Sequence, residues 1–174
     1  MILALDINSK STGAAFGGPG DAMPRTLTWK LYGCADEQDL ARSGASLYRA
    51  ITEISRIIKP RWLYYEAPFN PQDGRGHTNH QAVRALLSLA AVAMAAGLNS
   101  GAQIRPVHVQ TWRKHFLGHG RPEDPKAVTM KRCELLGWSV ANHDEADSAG
   151  IWCFAMLSQY PQWSPGKASA RGAA

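Results

Sequence analysis

The sequence predicts an α/β fold: a five-stranded mixed sheet, opened by three antiparallel strands and flanked by helices. Three observations lead there. Before Gly33, short apolar or alternating runs are separated by turn-forming segments, the pattern of consecutive antiparallel strands. Beyond it, stretches with apolar residues at helical spacing alternate with short β-branched and aromatic runs. Two of the strand-like runs, ILALDI and WLYYEA, also carry a single acid next to their last residue, Asp6 and Glu66.

The first strand spans residues 2–7 and is apolar except for Asp6. A carboxylate in a buried strand loses its hydration, so it must protonate, pair with a cation or bind metal. Alternatively, Asp6 simply ends the strand and caps a turn through Asn8 and Ser9. Asn8, Ser9 and Lys10 make that turn, and residues 12–16 return as a second strand. Gly and Pro mark 17–24 as a loop. Residues 25–32 then alternate, with Leu27, Trp29 and Leu31 on one face and Thr26, Thr28 and Lys30 on the other.

Leu40, Leu47, Ile51, Ile54 and Ile58 follow helical spacing over 37–59, and Pro60 stops that helix. A fourth strand, 61–67, ends at Glu66 before Pro68. The polar, His- and Gly-bearing stretch 69–80 reads as a surface loop. The helix predicted over 81–96 is apolar on nearly every side, which suits either burial within one chain or a contact with a second subunit. A fifth strand covers 103–107, and helices follow over 109–117, 126–136 and 144–158. The 118–125 stretch between them is a basic loop.

A chain of 174 residues suits one domain, expected over 1–160, with a Pro-, Ser-, Gly- and Ala-rich tail over 161–174 expected to be flexible. The net charge of +5 is compatible with a polyanionic partner and is weak evidence by itself. Cys34, Cys133 and Cys153 are odd in number and lack zinc-like spacing, which fits a reducing compartment. The most apolar stretch, 85–98, is shorter than the roughly 20 residues of a membrane span, and no leader-like segment opens the chain. These features lead us to expect a cytoplasmic protein without a membrane partner.

The last helix opens with HDEAD, which sets Asp144 and Asp147 three residues apart on one face. Acids at a helix start also have a purely structural explanation in the helix dipole, and it accounts for Glu145 as well. The element order nevertheless matches the ribonuclease H-like topology, in which the first and fourth strands are central neighbours and the last helix crosses them. That layout brings Asp6, Glu66, Asp144 and Asp147 together. So many carboxylates repel one another unless cations lie among them, and oxygen-only ligands suit Mg²⁺ or Mn²⁺.

LALDINSKSTG resembles the first motif of the RuvC family of Holliday junction resolvases, with Asp6, Ser9, Thr12 and Gly13 in matching places. LYYEAPF resembles its second motif and HDEADSAGIW its closing motif. VQTWRKHFLGHGR and PKAVTMKRCELLGW are similar to phage-borne members. Glu145 departs from the simplest form of the closing motif.

The resemblance implies a homodimeric endonuclease that cuts four-way or other branched DNA with two Mg²⁺ ions per active site, Mn²⁺ substituting, and no nucleotide cofactor. It implies that Asp6, Glu66, Asp144 and Asp147 are catalytic metal ligands. Contacts to nucleic acid fall to Ser9, Lys10, Phe69, Arg75, Arg113, Lys114, Arg121 and Lys126. Phe69 could stack on an unpaired base or merely anchor its loop, and His143 could assist a proton transfer or only flank the helix.

Three other readings stay open from the sequence. One is a ribonuclease H-like nuclease for RNA, hybrids or flaps. Another is a phosphate-binding domain of the actin and sugar-kinase type, and the last is a non-catalytic module that binds branched DNA.

Overall fold

β1 (Ile2–Ile7), β2 (Ser11–Gly17) and β3 (Arg25–Lys30) form an antiparallel meander. β4 (Trp62–Glu66) joins the free edge of β1 in parallel, and β5 (Gln103–Val107) joins β4 in parallel, giving the order β3-β2-β1-β4-β5. The helices are α1 (Glu37–Ile58), α2 (His80–Asn99), α3 (Val109–Leu117), α4 (Pro125–Leu135) and α5 (His143–Gln159). The computed structural model describes residues 1–68 and 80–165. The expected five-stranded mixed sheet is therefore present, with the first and fourth strands adjacent.

The two-residue period of the strands sorts the core into halves. Leu3 and Leu5 of β1 and Leu63 and Tyr65 of β4 pack with Leu47 and Ile51 of α1 and Leu89 and Ala93 of α2. Ile2, Ala4, Trp62 and Tyr64 face the other way, into a cluster with Trp112 and Phe116 of α3 and Trp152 and Met156 of α5. Asp6 continues the Ile2 and Ala4 series, and Glu66 continues the Trp62 and Tyr64 series. Both acids thus belong to the α5 side. The parallel pairs run from Ile2 with Trp62 to Leu5 with Tyr65, so the same register carried one residue further aligns Asp6 with Glu66.

On the opposite neighbour, Asp6 pairs with Gly13. A Cβ at Gly13 would lie 1.9 Å from the Asp144 carbonyl oxygen, so the start of α5 rests on bare backbone there. That start is also tied down by side chains. Asn142 caps the helix by accepting from the Glu145 N–H at 3.0 Å and donates its amide to Thr28 Oγ1 at 2.9 Å. Glu145 accepts from Thr26 Oγ1 at 2.8 Å and from the Ala141 N–H at 3.0 Å. Glu145 is therefore a staple between α5 and β3, turned away from Asp144 and Asp147.

The core continues beyond the predicted boundary at residue 160. Trp163 is buried against Trp152, with ring centroids 5.2 Å apart, and donates its indole N–H to the Asp21 carbonyl at 3.0 Å. The sequence signal of a flexible tail is compositional and misses this single large side chain. The expectation for residues 166–174 lies outside the described residues.

α2 is longer than predicted and, at 20 residues, is apolar and long enough to cross a membrane. One face, with Ala85, Leu89, Ala93 and Ala96, is buried in the core. Its other face leaves Leu87, Ala91, Met94 and Leu98 exposed at helical spacing. The three cysteines are free, and burial pushes the thiols of Cys133 and Cys153 up to about 12, which suits inert core residues.

The contact at Gly13 sets a stability test. Gly13→Ala is expected to lose about 3 kcal/mol through steric overlap, seen as a fall of roughly 6–12 °C in Tm in a chain of this size.

Candidate active site

Asp6 and Glu66 arrive on neighbouring strand ends, and α5 lays Asp144 and Asp147 across them. Direct contacts join Asp6 to Asp144. The Asn8 amide donates to Asp6 Oδ2 at 3.0 Å and to Asp144 Oδ1 at 3.3 Å, bridging the strand acid and the helix acid. The Ser11 hydroxyl donates to Asp144 Oδ2. Asn8 and Ser11 flank one tight turn, closed by the Asn8 N–H on the Ser11 carbonyl at 2.9 Å.

α3 contributes two consecutive side chains. The Trp112 indole N–H donates to Glu66 Oε2 at 2.8 Å. Arg113 pairs with Asp147 Oδ2 at 3.5 Å, and its guanidinium also lies 5.1 Å from the centroid of the Trp112 ring. Arg113, one of the expected nucleic-acid contacts, faces the acids in the structure. A mostly buried carboxylate with little water around it draws the nearest guanidinium.

The electrostatics are those of a crowded anionic pocket. Asp6, only 7% exposed, has its carboxyl raised well above the ordinary range, first by loss of hydration and then by repulsion from Glu66, Asp147 and Asp144. Burial also raises Glu66, partly offset by the Trp112 hydrogen bond and Arg113. Asp147 is raised by burial too, with Arg113 opposing. Its Oδ1 is buried with no hydrogen-bond partner among the described residues.

This donor set fits a hard divalent cation in chemistry and charge: several carboxylates, one with an orphaned buried oxygen, repelling one another in a site poor in water. The expected set of Asp6, Glu66, Asp144 and Asp147 is brought together but not pre-formed as a cage. Among the described residues, no three metal-ligating side chains already converge on one point. Each of the three outer acids has a protein partner: Trp112 donates to Glu66, Arg113 pairs with Asp147, and Asn8 and Ser11 donate to Asp144.

Of the expected DNA contacts, Ser9 and Lys10 occupy the tip of the turn beside the acids, and Lys10 is exposed. Lys114, Arg121 and Lys126 are also exposed. With the Gln110 amide turned so that its carbonyl faces the basic loop, Gln110 accepts from Arg121 Nη2 at 2.8 Å and Nε at 3.1 Å, which orients that guanidinium. Phe69 and Arg75 lie outside the described residues. His143 is exposed at the first turn of α5.

Sequence reasoning missed the partners of the acids. Asn8 and Ser11 carried a faint signal, two polar residues flanking a turn after a strand acid. Trp112 and Arg113 carried none, because only the fold brings them to Glu66 and Asp147.

Solved structures share this fold. Thermus thermophilus RuvC in complex with a Holliday junction substrate aligns with a TM-score of 0.70 and 14% identity, covering 94% of this chain and 98% of that one. This chain has the RuvC fold. A second Thermus thermophilus RuvC structure aligns at 0.65 and 16% identity over the same shares. The yeast mitochondrial Holliday junction resolvase Ydc2 aligns at 0.59 and 12% identity, covering 91% of this chain and 80% of that one. No protein-family model matches the sequence, and no curated protein matches it. Likeness to RuvC thus lies in the fold, with few identical residues.

The raised acids set a pH dependence. A carboxyl whose folded pKa lies above its unfolded value binds more protons in the native state, so stability falls as pH rises from roughly pH 4 through the raised value. Without divalent ions, the protein is therefore expected to be less stable at pH 8 than just above pH 4 as far as Asp6 is concerned. Asp6→Asn should flatten that slope and raise Tm at pH 8 by roughly 2–4 °C, the equivalent of about 1 kcal/mol. Thermal melts in EDTA across pH, wild type against variant, check this. A variant that is less stable than wild type at pH 8 contradicts it.

Proposed function

We propose that the protein is a Mg²⁺-dependent, structure-selective endodeoxyribonuclease that resolves Holliday junctions or other branched DNA. The observation that carries this reading is the meeting of Asp6, Glu66, Asp144 and Asp147 at one rim of a RuvC-fold sheet. The substrate class is supported by the similar RuvC structure that holds a Holliday junction.

In this reading the four acids would hold the metal. The chemistry supplied by two bound Mg²⁺ ions, or Mn²⁺ in their place, would be activation of a water and stabilisation of the departing oxygen of a phosphodiester. Asn8 and Ser11 keep Asp6 and Asp144 in mutual reach, while Trp112 orients Glu66. Arg113 offsets part of the negative charge. Ser9, Lys10, Lys114, Arg121 and Lys126 meet phosphates, and each neutralised phosphate releases counterions and makes binding salt-dependent.

Resolution of a four-way junction needs two cuts, so we propose a homodimer, with the outer face of α2 as the contact. Leu87 and Leu98 are 51% and 70% exposed there, a share of apolar surface that a partner helix would cover. The enzyme would work on cytoplasmic DNA, without a nucleotide cofactor.

The direct experiment is incubation of an end-labelled four-way junction with purified protein, with and without Mg²⁺, beside a flap and an RNA–DNA hybrid. Paired, symmetric nicks that require Mg²⁺ are expected. Asp6→Asn should cut slower by about 1000-fold, the equivalent of about 4 kcal/mol. Junction cleavage by Asp6→Asn at the wild-type rate, or by wild type in EDTA, contradicts the proposal, and preference for the hybrid moves the substrate to RNA.

A further inference from the structure

The turn that carries Asn8 and Ser11 has a second side. Its tip, Ser9 and Lys10, forms one wall of a groove of about 350 Å³. Tyr32, Gly33 and Cys34 form the facing wall, and Ala85 of α2 contributes below them. Asn8, the residue before Ser9, touches both Asp6 and Asp144, so the same turn lines the groove and contacts the acids.

The facing wall has no regular secondary structure, yet it is held at several points. The Leu31 N–H donates to the Lys10 carbonyl at 2.9 Å, fastening the wall to the turn. Ser43, fully buried in α1, accepts from the Tyr32 N–H at 3.1 Å and donates to the Gly33 carbonyl at 2.7 Å. Gly33 has φ +86°, a left-handed conformation that reverses the chain without steric cost. The Gln81 amide donates to the carbonyls of Cys34 at 3.1 Å and Ala35 at 2.6 Å.

On this anchored segment Tyr32 is 65% exposed, an aromatic ring that adds nothing to the core. An exposed ring on a fixed backbone beside a lysine is the composition of a base-stacking platform, where the ring takes a base and the cation its phosphate. A paired base within a duplex has both faces covered by its neighbours. The ring therefore selects a nucleotide that has left its stack, as occurs at a branch point.

We propose that this groove receives one unpaired nucleobase of the branched substrate, stacked on Tyr32, with Lys10 on the adjoining phosphate. The inference rests on the nuclease reading above and adds a site beside the acids that positions the strand to be cut.

The test uses junctions carrying 2-aminopurine singly at each branch-point position, bound by the full chain with Ca²⁺ in place of Mg²⁺. Wild type should quench one position. Tyr32→Ala should abolish that quenching and weaken binding by about 10-fold, with Tm unchanged because the side chain is exposed. Tyr32→Trp should restore both. Wild-type affinity and quenching in Tyr32→Ala overturn the groove and leave the nuclease reading standing. Weakened binding that Tyr32→Trp fails to restore also overturns stacking. Wild-type protein that binds no branched DNA overturns both readings.

Discussion

Carboxylates crowded together where water is scarce are the condition on which the rest of this structure depends. Asp6 and Glu66 cannot turn away from each other without turning their whole strands, since the side-chain period assigns both to the face that α5 covers. α5 can approach closely only because Gly13 offers no side chain beneath Asp144. Burial and mutual repulsion then raise the acids, and the surrounding donors compensate only in part. Elsewhere the fold packs an aromatic cluster, in which Trp152 of α5 meets Trp138 and Trp163 and which also holds Trp112 and Phe116.

The HDEAD segment shows how one short stretch divides two tasks. Asp144 and Asp147 share the face that meets the sheet acids, whereas Glu145 points to β3 and satisfies two threonines and a backbone N–H. The dipole explanation for acids at a helix start is therefore sufficient for Glu145 and insufficient for its neighbours. Removing Glu145 would loosen the seating of α5, and removing Asp144 or Asp147 would change the pocket itself.

Much of the fold was legible because period and punctuation agree along the chain. The strands announced themselves by alternation or by short apolar runs between turns, and Pro60 follows the end of α1 as the sequence led us to expect. The four acids were legible as well, each being a charge in an apolar setting or at helical spacing. Their partners were not. Trp112 read only as part of a helical segment and Arg113 as a contact to nucleic acid, because spacing within α3 carries no information about Glu66 or Asp147. Trp163 was hidden inside a composition typical of loose tails, and the exposed stripe of α2 was hidden by the apolar character of the whole helix.

The contacts around the acids describe a pocket in which protein donors stand where cations would bring more charge. Asn8 joins the strand and helix acids, and Arg113 brings a positive charge to within 3.5 Å of Asp147. Anomalous diffraction from crystals of the protein soaked in Mn²⁺ tests this view most directly. The account predicts manganese at roughly 2.1 Å from oxygens of Asp6 and of at least two among Glu66, Asp144 and Asp147. Manganese found only at outlying carboxylates such as Asp36 and Asp39, with the four acids still held by their protein donors, would contradict it.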